Sequence, residues 1–440
     1  MVKNIFGGIA VLGGVCSLLL TSCSLEKQMA RKVSKVFERS EILKKYHAGF
    51  ALYDMSKEAM VYQQDADKYF TPASNTKLFT FYAGLKMLPE SIPSLRYIEK
   101  GDSLIFWGTG DPSNLQSQLK NTQAYNFLKA SGKKLFFAPG RYSGSFYGKG
   151  WAWDDYNDYY QAEIDELPLM DNLVDYEVKN GSLVINPKVF VQHTIADSNS
   201  KATTFRITRS FIENKFTHPS LLPADNYNQK VPFKVSVNTT LQILSDTLGK
   251  AVESIQMSMP AYAKTVYGIK SDSVLKEMML PSDNFIAEQL LLVYSDKLGQ
   301  DLSSEKAIAY IQKEYLSALP DKFIWADGSG LSRYNLVTPR TMIKLLDLIY
   351  KEVNDPKRLF NMLPAGGMSG TLKNAYPKTS QPFVFGKTGS LANVHNQSGY
   401  VVTKKGKTFL FSFLNNNFVV PTVDVRKEMV RIMTYIHENY

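Results

Sequence analysis

The stretch Thr71-Pro72-Ala73-Ser74-Asn75-Thr76-Lys77-Leu78 places a serine and a lysine three residues apart at the start of an apolar segment. Thr71-Pro72 predicts a helix start, with Thr71 as the cap and Pro72 at the first helical position. Leu78, Tyr82, Leu85 and Leu88 recur at helical spacing, so one face is expected in a core. Ser74 then falls in the first turn, where unpaired backbone N–H groups and the helix dipole favour developing negative charge. Lys77 lies on the same face. A partly desolvated lysine there can lose its proton and act as base toward the serine. Without further context, the same residues also describe an ordinary amphipathic helix with an exposed lysine.

Two more segments follow in order. Pro281 ends the helical run Val274 to Leu280, and Ala287, Leu290, Leu291 and Tyr294 begin another, so Ser282-Asp283-Asn284 is a short interhelical loop. Ser282 can relay a proton to a leaving amine, and Asn284 can hold both the lysine and an amide backbone. The same three residues also suit a plain helix cap. Next, Phe383-Val384-Phe385 reads as a buried strand leading into Lys387-Thr388-Gly389. Gly386 and Gly389 flank Lys387 and Thr388 and let a substrate backbone approach. Lys387 and Thr388 offer a positive charge and a hydroxyl to a carboxylate. Together the three segments supply the groups needed to acylate a serine without a histidine.

Competing chemistries fail on spacing. Gly386-Lys387-Thr388 is not the end of a phosphate-binding loop, because the glycine required five residues earlier is Gln381. The nearest approach to a G-x-S-x-G elbow, Gly367-Met368-Ser369-Gly370, continues with Thr371. No H-E-x-x-H occurs among only five histidines, and no zinc or haem cysteine pattern exists. His395 lies just after the third segment and reads as structural. No metal and no cofactor are expected.

Lys3 precedes an uncharged apolar stretch, Ile5 to Leu20, that ends in Leu20-Thr21-Ser22-Cys23. This resembles a bacterial lipoprotein cleavage box, with 1–22 as signal peptide and Cys23 the lipidated first residue of an envelope protein. Cys16 would leave with the signal, so the mature fold would rely on its core rather than on disulfides. The net charge of +10 suits anionic lipid and cell-wall polymers. An exported chain with no nucleic-acid-binding motif is not expected to bind nucleic acid. Lys27, Arg31, Lys32, Lys35, Arg39, Lys44 and Lys45 make 23–45 a basic helical tether.

With 440 residues, 44% of them hydrophobic, the chain is expected to form two or more domains. Ser74 and Ser282 are 208 residues apart, yet must meet. The intervening chain therefore reads as an insertion. Residues 46–90 and 262–440 form an α/β (α+β) catalytic domain, an antiparallel sheet flanked by helices, and 91–261 form strand-rich accessory domains. Tyr46 to Tyr53, Ala59 to Gln63, Gly399 to Thr403 and Thr408 to Leu414 read as its strands. A final helix is capped by Asp424, with Val425, Met429, Ile432 and Ile436 inward.

The chain resembles the class C low-molecular-mass penicillin-binding proteins, D-alanyl-D-alanine carboxypeptidases and endopeptidases. Beyond the three segments, the likeness includes Gly150-Trp151-Ala152-Trp153-Asp154-Asp155, Ala326-Asp327-Gly328-Ser329-Gly330-Leu331-Ser332-Arg333 and Met362-Leu363-Pro364-Ala365-Gly366-Gly367. The stretch Glu99 to Phe106 is shorter than the family's pattern, and the lipid box is not typical of it. The resemblance implies a Ser74 acyl-enzyme with Lys77 as base. Ser282, Asn284 and Lys77 would pass the proton to the leaving group. The backbone N–H groups of Ser74 and Ser390 would form the oxyanion hole, and Lys387 and Thr388 would hold the terminal carboxylate. Peptidoglycan stem peptides are the implied substrates and β-lactams the covalent inhibitors. For a diaminopimelate side chain, Asp154 or Asp155 is expected on the ammonium, Arg333 on the carboxylate, and Trp153 as the wall. The alternatives are a serine β-lactamase and a catalytically inactive peptidoglycan-binding protein.

Overall fold

The computed structural model describes residues 27–299 and 301–440. The expected signal peptide and Cys23 lie outside the described residues. The first and last parts of the chain build one sheet together. Its strand order runs Val384–Leu391, Val394–Val402, Thr408–Asn416, His47–Asp54, Ala59–Gln64, with every neighbouring pair antiparallel. The Lys-Thr-Gly segment therefore sits on an edge strand, open on one side to a substrate. The four strands expected from sequence are present, those around Gly399 and Thr408 being longer than predicted.

Residues 27–39 are helical, with Met29, Val33 and Phe37 buried at four-residue spacing while Lys27, Arg31, Lys32, Lys35 and Arg39 stay exposed. Phe37 packs on Phe50 and Phe413 of the sheet. This stretch is thus a docked amphipathic helix rather than a free tether, because three apolar side chains on one stripe gain more by burial than by hydration. The final helix, Thr422–Asn439, buries Val425, Met429, Ile432, Met433 and Ile436 on the same face of the sheet. Its N-cap is Pro421, and Asp424 pairs with Lys427 in the first turn instead of capping.

On the other face lies a helical layer. Helix Lys77–Met87 is its centre, packed against Ser271–Met279, Asn284–Leu298 and Pro339–Val353. The expectation of one buried face is corrected here. Leu78, Phe79, Phe81, Tyr82, Ala83 and Met87 are all buried, so the helix is enclosed on nearly every side.

The insertion carries a second five-stranded sheet and two three-stranded ones. In the larger sheet the strand Lys264–Lys270 pairs with Ser91–Lys100. The sheet therefore extends past the expected boundary at 261, and the chain rejoins the helical layer at Ser271. The shortened stretch near Glu99 is a tight hairpin, Ser91–Lys100 to Ser103–Gly108. Among the described residues no helix is long and apolar enough to cross a membrane.

Candidate active site

Ser74 lies in a single 3₁₀ turn, Ala73–Thr76, that precedes the helix Lys77–Met87. The expected helix start at Pro72 is thus tightened, and Thr71 does not cap it. The tightening has a purpose in geometry, since residues three apart eclipse one another in a 3₁₀ turn. Lys77 Nζ lies 3.1 Å from Ser74 Oγ. Ala73, just before the serine, has φ +48°, a left-handed value costly for a residue with a Cβ. The turn is held by the Thr76 hydroxyl on the Ala73 carbonyl at 2.8 Å. Gly330 presses on the same carbonyl, where a Cβ would fall 1.9 Å from the oxygen, so only glycine fits.

Lys77 Nζ also donates to Asn284 Oδ1 at 2.6 Å and to the Ser329 carbonyl at 2.8 Å. The side chain is wholly buried. Desolvating an ammonium costs several kcal/mol, whereas each hydrogen bond to a charged group returns about 1.5–3 kcal/mol. The balance moves toward the neutral amine. Burial pushes Lys77 down to about 8, against the pull of Asp283, Glu288 and Asp327.

The Ser-Asp-Asn segment joins helices Ser271–Met279 and Asn284–Leu298 as expected. Asp283 caps the second helix by accepting the Ile286 N–H at 2.8 Å. Ser282 takes φ +68°, and Asn284 donates to the Tyr160 carbonyl at 3.1 Å. Asn284 is thereby oriented with its oxygen on the lysine. Lys387, also wholly buried, donates to Ser282 Oγ at 2.8 Å and to the Thr388 carbonyl at 2.7 Å. Burial first, then Lys77, holds it well below its ordinary value. Its amino group is thus set behind Ser282, while the Thr388 hydroxyl donates to Thr371 Oγ1 at 2.7 Å. Gly389 lies against the Ser74 turn, where a Cβ would come within 2.6 Å of the Pro72 carbonyl oxygen and 2.8 Å of the Ser74 nitrogen.

A cleft of about 810 Å³ opens over Ser74, Ser282, Asn284 and Ser390. Asp154, Asp155 and Arg333 line it, with Trp151 and Tyr159. Trp153 does not. Its ring stands clear of the cleft and 73% exposed, and Trp151 takes the place expected for it.

The chain matches the D-Ala-D-Ala carboxypeptidase 3 (S13) family over residues 29–436. It belongs to that family. D-alanyl-D-alanine carboxypeptidase DacB of Haemophilus influenzae is 26% identical over 420 residues, covering 84% of this chain and 85% of its own. Penicillin-sensitive carboxypeptidase A of Dictyostelium discoideum is 26% identical over 421 residues, covering 81% and 80%. Among solved structures, penicillin-binding protein 4 of Haemophilus influenzae superposes with a TM-score of 0.70 at 19% identity, over 92% of this chain and 98% of that one. The penicillin-binding fold expected from sequence is the fold observed. The protein is a serine-type D-Ala-D-Ala carboxypeptidase.

Some residues of this S13 site escaped the sequence reading. Glu288 accepts the backbone N–H groups of Gly328 and Ser329 at 3.0 and 2.7 Å. Asp327 accepts those of Gly330 and Ser332 at 2.9 and 2.7 Å, plus Trp151 Nε1 at 2.9 Å. The two acids shape the loop whose Ser329 carbonyl meets Lys77. One signal was available: Glu288 is the only charged residue in the largely apolar run Phe285 to Tyr294, one turn after Asn284. His395 faces Ser390 across the hairpin and lies 2.8 Å from its hydroxyl. Burial holds it down at about 4, so it is neutral at ordinary pH.

With Lys77 as the base proposed below, acylation by a β-lactam should depend on pH. The amine is a base only when deprotonated, so the rate rises with pH. It should increase about tenfold per unit below pH 7 and level off above about 8. Stopped-flow acylation measured from pH 5.5 to 9.5 checks this; a rate that falls across that range contradicts the role of Lys77.

Proposed function

We propose that Ser74 is the acylated nucleophile and Lys77 its base. The observation that carries this is the set of partners around Lys77 Nζ. Asn284 Oδ1 and the Ser329 carbonyl can only accept. A neutral amine gives its two protons to them and is left with its lone pair facing Ser74 Oγ. The Ser74 oxygen attacks the carbonyl between the two D-alanines as its proton passes to Lys77. The backbone N–H groups of Ser74 and Ser390 take the developing oxyanion, a contribution of about 3–4 kcal/mol per donor in other acyl transferases. Ser282, held by Lys387, hands its hydroxyl proton to the departing amine and is reprotonated by Lys77, the C–N bond breaks, and D-alanine leaves. Water then attacks the ester and restores Ser74. Labelled penicillin should attach to Ser74 of the wild type, whereas Ser74→Ala should show no label and Lys77→Ala should lose nearly all, since residues acting as a unit are not additive. Peptide mapping checks the site, and a label on Ser282 or Ser332 would overturn the assignment.

The substrate reading follows from the cleft. Asp154, Asp155 and Arg333 offer two acids and a base to one space. A diaminopimelate side chain ends in an ammonium and a carboxylate, which this set complements. Asp154→Ala, Asp155→Ala or Arg333→Ala should lower turnover of a stem peptide bearing that free end by about tenfold, the scale of one charged hydrogen bond. Acylation by a simple penicillin should be spared. Equal loss on both substrates would place the specificity elsewhere.

The protein would act on cell-wall peptidoglycan, at the envelope, with Cys23 lipidated. Intact mass of the mature N-terminus should show the acyl chains, and Cys23→Ser should abolish them and move the protein from the detergent to the aqueous phase. A wild-type protein without acyl mass would remove the anchor from this reading.

A further inference from the structure

Trp153 is among the most exposed aromatic residues described, and the stem-peptide cleft does not use it. It is not alone. Phe211 is 50% and Ile212 77% exposed, and the Phe211 ring stands edge-on to Trp153 at a centroid distance of 6.3 Å. Tyr156 backs Phe211 in the same manner at 5.1 Å. Exposed apolar side chains grouped on a surface, as distinct from ones scattered singly, are the kind of feature that serves as a contact site.

The ledge is also rigid. Trp153 belongs to the short 3₁₀ helix Trp153–Asn157. The turn bearing Phe211 is clamped by Arg209, itself almost fully buried, which donates to the Pro232 and Ser210 carbonyls at 2.8 and 2.9 Å. Asn214, in the same turn, exchanges two hydrogen bonds with the Lys234 backbone at 2.9 and 2.7 Å. A hydrophobic surface held this firmly loses little freedom on binding.

Its position names the occupant. Trp153 sits between Ala152 and Asp154, both of which line the cleft. Resting on the peptidoglycan reading above, the stem peptide in that cleft is a branch of a sugar backbone. The sugar must lie next to where the peptide enters. We propose that Trp153, Phe211 and Ile212 form a stacking ledge for that backbone, a chain of N-acetylated amino sugars. The apolar C–H faces of the rings lie on the indole, and the peptide hangs from them into the cleft. The accessory domain would then select polymeric over free substrate.

The test compares three reactions of the full protein and its Trp153→Ala and Phe211→Ala variants: penicillin acylation, turnover of free stem pentapeptide, and turnover of pentapeptide-bearing glycan strands. The variants should keep the first two within about twofold and lose about five- to tenfold on the third through KM, the scale of one aromatic contact. Trp153→Phe should recover part of the loss. Glycan strands stripped of peptide should retain the wild type on a column and not the variants. Equal loss on free and polymeric peptide, or no wild-type retention on stripped glycan, overturns the ledge. So does a wild type that sediments as a dimer when Trp153→Ala sediments as a monomer, since the occupant would then be a second copy. Failure of wild-type penicillin acylation would instead strike the catalytic reading.

Discussion

One buried amine organises this molecule. Lys77 reaches its oxygen partners from three separate segments: Ser74 three residues before it, Asn284 207 residues on, and Ser329 252 residues on. A lone ammonium placed there would be costly. It is tolerated because both carbonyl acceptors are fixed in place before any substrate arrives. This explains features that look excessive for packing alone. The Lys77–Met87 helix is enclosed almost all round, since a shifting helix would lose the 3.1 Å approach to Ser74. The backbone accepts left-handed residues at Ala73, next to Ser74, and at Ser282, on the same cleft. Strain of this kind persists where the surroundings over-determine it, and here Gly330 and the Thr76 hydroxyl do so for Ala73.

The insertion reaches the partners of Lys77 as well as the cleft wall. The Tyr160 carbonyl fixes the Asn284 amide, and so decides which end of that amide faces Lys77. Trp151 spans from the cleft wall to Asp327, in the loop that supplies the Ser329 carbonyl. Residues 150–160 thus touch substrate space on one side and the partners of the base on the other. A chain that folds its two catalytic ends without this segment would have the serine and lysine but would lack the group that orients Asn284.

The three catalytic segments were legible because each occupies a local context that sequence pattern describes well: a helix start, a Pro-terminated loop, a strand with flanking glycines. The sheet strands and the inward face of the final helix were legible for the same reason. What escaped was non-local. The 3₁₀ turn at Ser74 packs against Gly330, far along the chain, a contact that no propensity around Pro72 reports. The strand Lys264–Lys270 belongs to the inserted sheet only through its pairing with Ser91–Lys100. Trp151 and Trp153 are equivalent by composition; which one faces the cleft depends on Asp327 and Phe211, brought there by folding. The basic stretch masked an apolar stripe, because seven cations draw the eye from Met29, Val33 and Phe37.

The buried acids bear on the difference between a peptidase and a β-lactamase built on the same three segments. Rapid release of an acyl-enzyme needs a free carboxylate, or an equal base, on a water at the ester. Glu288 is the glutamate nearest in role, but both its oxygens are occupied by the Gly328 and Ser329 N–H groups. Burial first, and then Asp327, holds it well above the ordinary carboxylate range, so it is poor as a base at neutral pH. Asp327 is saturated in the same way by backbone groups and Trp151. The acids that do line the cleft, Asp154 and Asp155, lie in the segment proposed to read the stem-peptide side chain rather than beside the serine's own partners. The carboxylates that pull on Lys77 are thus committed elsewhere, Asp283 to a helix cap and Glu288 and Asp327 to a loop. On the proposed mechanism such a site would acylate through its amine with no spare carboxylate among these to hasten hydrolysis, a balance that would make a penicillin an inhibitor rather than a substrate.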